Sequence, residues 1–185
     1  MSRSLYWFRN VRTRQVLTST EKSVLARPYL LKSQIPAALQ PSSIRPDHWR
    51  PMVVATGFET EQAQLDTFTL ASQSGFPLVP QTKDERRKYL LLPNIKKRLI
   101  DKDMVERQVA QLARTLVYMD AVKSAAIPVQ APLTLLWDNR EWIDKVTQAG
   151  LAWPEWVRHA DLDIKRGAII MNPELRSAAA APTTA

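Results

Sequence analysis

The stretch "SLYWFRNVRTRQVLTST", residues 4–20, decides the fold. Four large apolar residues stand together from Leu5 to Phe8. Arg3, Arg9, Arg12 and Arg14 surround them, and no acid precedes Glu21. As strands, residues 5–9 and 14–18 pair around 10–13. A four-residue connection is a permitted hairpin length, although no glycine fixes the turn. Asn10 is the residue expected to take a positive φ. Tyr6, Trp7, Phe8, Val16 and Leu17 suit a pleated surface. The same stretch is Arg-rich, Ser-rich and free of acids, as transit peptides are. Four adjacent large apolar side chains do not make an amphipathic helical face, however. A folded hairpin is therefore the expectation, and it is compatible with a second use as a targeting address.

Working outward, residues 21–31 read as a short helix ending near Pro28. Pro36, Pro41, Pro46 and Pro51 follow, and proline breaks both helix and strand periods. Residues 36–51 are thus an ordered loop, anchored by Trp49. Residues 51–58 ("PMVVATGF") read as a buried strand ended by Gly57. Thr60 caps a helix over 61–74, with Leu65, Phe68, Leu70 and Ala71 on its apolar side and Gly75 as its stop. Residues 76–100 read as an irregular basic segment framed by Pro77, Pro80 and Pro93. The strongest helical period runs over 101–125, where Val105, Val109, Leu112, Leu116 and Met119 recur at steps of four and three. Asp101 and Asp103 sit at its positive end. Residues 133–138 ("LTLLWD") read as a second buried strand. A helix over 139–150 follows, capped by Asp138 or Asn139 and closed by Gly150. Residues 168–171 are a last strand candidate, and residues 177–185 read as a low-complexity, mobile tail.

The fold class expected is α+β: a small mixed sheet, built from the N-terminal hairpin plus buried strands, covered by helices and carrying Pro-rich and basic loops. Residues 1–176 form a single nucleic-acid-binding domain. No apolar run approaches the roughly 20 residues of a membrane helix, and no membrane partner is expected.

The chain of 185 residues has no cysteine, which excludes disulfides, thiolate metal sites and a cysteine nucleophile. Its four glycines, Gly57, Gly75, Gly150 and Gly167, cannot build a phosphate loop. Lys and Arg outnumber Asp and Glu by 26 to 18, for a net charge of +8 and a pI near 10.0. Such a balance speaks of polyanionic partners rather than of fold. His48 and His159 lack metal-ligand spacing, and no serine lies in a nucleophile elbow. Asp161, Asp163 and Lys165 resemble half of a nuclease metal motif, but a D-x-K triplet is common by chance and alternating surface charge reads better. No catalytic residue, metal or cofactor is expected.

Three basic clusters carry more weight. Arg3, Arg9, Arg12 and Arg14 form the first, joined by Arg45 and Arg50 of the proline loop. Lys83, Arg86, Arg87 and Lys88 form the second, with Tyr89 beside them, and Lys96, Lys97 and Arg98 form the third. From 83 to 107 nine basic residues meet five acidic ones, so the excess is local. Arg pairs bidentately with phosphate, and Tyr stacks on unpaired bases. Trp137, Trp142, Trp153 and Trp156 read as packing residues.

Three stretches, "YWFRNVRTRQVL" (6–17), "RPDHWRPMVV" (45–54) and "LTLLWDNREWIDKVTQAGL" (133–151), resemble in order and spacing a fungal mitochondrial family. That family is known both as a large-subunit mitoribosomal protein and as the mitochondrial homologous-recombination protein. The resemblance covers most of residues 5–151, with a departure over 75–100. It implies a structural component of the large mitoribosomal subunit in the mitochondrial matrix, bound to rRNA and to neighbouring ribosomal proteins. It also implies an alternative: a factor that binds mitochondrial DNA and pairs homologous strands without ATP, in the nucleoid or the nucleus. A metal-dependent nuclease is the third and weakest reading.

Overall fold

In the hairpin, β1 (Arg3–Asn10) pairs antiparallel with β2 (Val16–Ser19), placing Phe8 opposite Leu17 and Arg9 opposite Val16. Successive side chains of a strand point to opposite faces. Leu5 and Trp7 therefore enter one hydrophobic cluster, and Tyr6 and Phe8 enter another. The four-residue apolar run is the signature of a strand buried on both sides. Each such side chain contributes about 1.5–3 kcal/mol when fully buried.

The computed structural model describes residues 3–23, 34–35, 37, 40, 45–72, 82–124, 132–165 and 168–169. The expected helix over 21–31 (beyond its first three residues), Pro36, Pro41, the Gly75 stop, residues 170–171 and the tail at 177–185 lie outside them.

The turn departs from its expectation. Arg14, and not Asn10, takes the positive φ, at 57°. Asn10 keeps a strand conformation and uses its side chain instead: Oδ1 accepts the backbone N–H groups of Arg12 (2.9 Å) and Thr13 (3.0 Å). An Asx-type turn of this kind supplies locally the hydrogen bonds that a glycine turn would make through its backbone.

A 3-10 turn (Pro46–His48) leads into β3 (Trp49–Phe58), which pairs antiparallel with β1. The register slips between Trp7 and Phe8, whose partners are Val53 and Pro51. Met52 is the extra residue of this bulge and joins Val53 in the first cluster. A second slip falls at Gly57, where φ is +102° and a Cβ would stand 3.2 Å from the Pro132 carbonyl oxygen. β4 (Leu133–Trp137) pairs antiparallel with β3, and β5 (Val157–Asp161) pairs parallel with β4. The sheet order is β2-β1-β3-β4-β5, and β6 (Ile164–Lys165) and β7 (Ala168–Ile169) form a separate two-stranded ribbon.

Five α-helices lie among the described residues: α1 (Glu61–Ser72), α2 (Lys83–Leu91), α3 (Asn94–Lys102), α4 (Val105–Ser124) and α5 (Glu141–Gln148). The α+β class is therefore as expected. Helices α1, α4 and α5 cover one face, burying Ala71, Val105, Val109, Leu112, Leu116, Trp142 and Val146 against the sheet. The other face is covered by Trp49, Ile35, Leu162 and Ile169.

Three helix expectations are corrected. Residues 83–91 and 94–102 are helical rather than irregular; Pro93 stands just before α3, where a missing N–H costs nothing. The helix expected over 101–125 begins at Val105, whose N–H donates to Asp103 Oδ1 at 3.3 Å. Asp101 lies in the last turn of α3 and not at the positive end of α4. On α1 the buried residues are Ala63, Thr67 and Ala71, whereas Leu65 is 42 % exposed. Small residues let α1 lie close to the sheet, near enough for Gln64 Nε2 to donate to the Ser4 carbonyl at 2.7 Å. The Thr60 cap holds, with Oγ1 accepting the Ala63 N–H at 3.0 Å. For α5 the cap position is Arg140, without a side-chain cap bond, and not Asp138 or Asn139; Asn139 Oδ1 accepts the Glu141 N–H at 3.0 Å, and Gly150 stands just past the helix at φ 73°.

Leu135 on β4 is fully buried. Leu135→Ala is expected to cost about 2–5 kcal/mol in urea unfolding, and Leu65→Ala less than about 1 kcal/mol.

Candidate nucleic-acid interface

The first basic cluster folds back on the chain itself. Arg9 Nη2 and Nε donate to Asp138 Oδ2 at 2.8 and 3.1 Å. Trp142 Nε1 donates to the other oxygen, Oδ1, at 3.1 Å. Arg14 Nε lies 2.5 Å from Asp103 Oδ2, and Lys145 pairs with Glu106. All three cations also approach the Trp142 ring, at 5.9 Å for Arg9, 6.0 Å for Arg14 and 5.9 Å for Lys145. The indole face attracts cations electrostatically. The result is a clasp in which three positive groups meet three carboxylates around one tryptophan.

The remaining members of the first group divide. Arg3 donates to the Glu59 carbonyl at 2.8 Å, and Arg45 makes a forked pair with Asp47. Arg12, at the hairpin end, and Arg50, across the sheet from Arg9, are exposed and form no ion pair among the described residues.

The second and third clusters come together differently. Helices α2 and α3 meet at a corner formed by Leu92 and Pro93. Lys83, Arg86, Arg87, Lys88 and Lys96 are exposed there, and none has an ion-pair partner among the described residues. Lys97 is half-buried, with Nζ 5.9 Å from the centroid of the Tyr89 ring, which fastens one helix to the other. Arg98 belongs to α3. Helix formation sets these exposed cations on the surface of two consecutive helices.

That surface also holds side chains not marked as site candidates from the sequence. Leu90, Leu91 and Ile95 are 62 %, 78 % and 76 % exposed. In the sequence they stand inside the segment read as irregular and basic, and only the structure reveals them as solvent-facing.

The tryptophans pack as expected. Trp137 and Trp142 are buried, and Trp153 and Trp156 lie against the core. Trp137 Nε1 donates to His159 Nδ1 at 3.0 Å, and Trp153 sits edge-on to both rings. Asp161 of the nuclease reading gives both carboxylate oxygens to Arg140, at 2.6 and 2.9 Å. Hydrogen bonding from that guanidinium holds the Asp161 carboxyl below its usual pKa. No group of three or more potential metal ligands occurs among the described residues, and no helix there is long and apolar enough to cross a membrane.

Residues 2–71 match a family model described as transcriptional regulation of mitochondrial recombination. The match spans β1, β2, β3 and nearly all of α1, so the hairpin and its bulged partner are the part of the chain similar to that family. Helices α2 and α3 lie beyond it. No curated protein matches the chain.

Asp138→Asn removes the charge that opposes Arg9 in a site where the aspartate side chain is 9 % exposed. It is expected to lower unfolding free energy by about 1–3 kcal/mol, whereas Asp161→Asn, on the exposed pair, should leave the urea midpoint unchanged. A second expectation concerns pH. Burial first, and Arg140 second, push the His159 pKa below its ordinary 6.5. The folded state then holds fewer protons than the unfolded state just below that value. The stability contributed by neutral His159 is complete above pH 6.5 and is lost as pH falls through the folded value. Urea midpoints taken from pH 7 to pH 5 should decline, and His159→Gln should flatten that decline.

Proposed function

We propose that this chain is a DNA-binding protein of mitochondrial recombination that grips the sugar–phosphate backbone with the cations of α2 and α3. The match over residues 2–71 carries the recombination reading. The match speaks for the recombination side of the family resemblance and is silent on the ribosomal side. DNA therefore replaces rRNA and ribosomal neighbours as the proposed partner, and the mitochondrion is the proposed compartment. The role is one of binding and pairing, with no catalytic residue, metal or cofactor assigned.

The geometry supports a division of labour. Arg9 and Arg14 spend their charge on Asp138 and Asp103. Lys83, Arg86, Arg87, Lys88 and Lys96 stand exposed without such partners among the described residues. Cations of the second kind displace condensed counterions when they meet phosphate, which drives binding in a salt-dependent, sequence-independent way. Arg12 and Arg50 add a smaller cationic spot at the hairpin end. The ATP-independent pairing implied by the resemblance would use such a surface to hold two like-charged strands near one another.

Fluorescence anisotropy with labelled single- and double-stranded DNA across a salt series tests this. Each lost phosphate contact lowers the log–log salt slope by about 0.7–0.9. Arg86→Ala with Arg87→Ala should therefore flatten the slope by about 1.4–1.8, and by the same amount on unrelated DNA sequences. An unchanged slope and affinity would remove α2 from the interface. Failure of the intact chain to bind DNA at all would remove the reading itself.

A further inference from the structure

We propose that Leu91 and Ile95 form an apolar wedge that enters the base stack of bound DNA, an inference that rests on the DNA-binding reading above. Exposed leucines scattered singly need no explanation. Here Leu90, Leu91 and Ile95 are all more than half exposed, and they fall within six residues at the meeting of two cationic helices. Leu91 and Ile95, at 78 % and 76 %, flank the Leu92–Pro93 corner from opposite helices.

The corner is built to hold its shape. Pro93 has a fixed φ, its carbonyl accepts the Lys97 N–H at 3.0 Å, and the Tyr89 carbonyl accepts the Leu92 N–H at 3.1 Å. The Lys97 ammonium reaches back over the Tyr89 ring and braces one helix on the other. The apolar pair is thus presented from the ends of two helices joined by a hydrogen-bonded corner.

Charge selects the occupant. A second copy would bring the same cations face to face, and like charges repel. The fitting partner is apolar at its centre and anionic on its flanks. Nucleic acid has that layout, with stacked bases between two phosphate rows. Leu and Ile are side chains that unstack base steps when a minor-groove protein kinks a duplex, while flanking basic residues hold the backbone. Opening a base step costs least where the stack is already interrupted. The wedge therefore makes this chain selective for interrupted duplexes over perfect ones.

Competition binding of the full chain to two duplexes, one perfect and one with a two-base bulge, tests the wedge. The intact chain should prefer the bulged duplex by about tenfold. Leu91→Ala with Ile95→Ala keeps good helix formers in both helices. That variant should bind the perfect duplex within about twofold of the intact chain, with the salt slope unchanged and the preference gone. Equal affinity of the intact chain for both duplexes, or a preference that survives the double substitution, overturns the wedge while leaving phosphate binding intact. Absence of DNA binding overturns both. If the intact chain floats with mixed phosphatidylcholine–phosphatidylserine vesicles and the double variant does not, while the duplexes are bound equally, the patch is a lipid contact and the wedge is likewise overturned.

Discussion

The Asp138 carboxylate is the point at which three separate stretches of this chain are tied together. One oxygen takes the Arg9 guanidinium from the hairpin, and the other takes the Trp142 indole N–H from α5. Its own backbone N–H donates to the Met52 carbonyl at 2.9 Å, at the bulge of β3. A carboxylate with so little exposure is costly to desolvate, and its attraction to one cation offsets that cost only when its remaining lone pairs are also occupied. Here they are. The backbone bond to Met52 continues the β3–β4 ladder one pair beyond Val53 and Trp137, and so holds Asp138 at the end of β4 beside the sheet.

The clasp also decides where charge is left over. Around Trp142, Arg9, Arg14 and Lys145 are each answered by a carboxylate. The three cations around Trp142 are accordingly locked into the architecture, whereas Arg12 and Arg50 form no ion pair among the described residues. The surplus behind the net charge of +8 is expressed instead on the surface farther along the chain, with α2 and α3 as its densest region. Fold-making arginines and binding arginines look alike in composition. What distinguishes them is whether an acid from a distant segment arrives beside them.

That distinction explains which features could be read in advance. The hairpin, the buried strands at β3 and β4, the Thr60 cap and the apolar stripe of α4 follow from local period and turn chemistry, which the sequence displays directly. The positive φ at Arg14 was not legible, because it follows from tertiary contacts: the Arg14 carbonyl accepts the Met104 N–H at 3.0 Å while its side chain meets Asp103. Nor was the pairing of Arg9 with Asp138, which lies 129 residues away. In 76–100 the prolines read as breakers outweighed good intrinsic helix formers, although "KDERRKYLL" has ample propensity and Pro93 suits a helix start. The basic candidates were therefore found as a set, but the split into matched and unmatched cations required the long-range contacts.

The same contacts link the family-like stretch, residues 2–71, to the helices beyond it. Asp103 and Met104 form the joint between α3 and α4, and Arg14, inside the matched residues 2–71, holds both of them. Arg107 closes the joint from the α4 side, with Nη2 donating to the carbonyls of Ile100 at 3.0 Å and Asp103 at 2.6 Å. The joint at which the α2–α3 arm meets α4 is thus held by the hairpin. The hairpin therefore does more than complete a sheet: through Arg14 it anchors the point from which α4 enters the core.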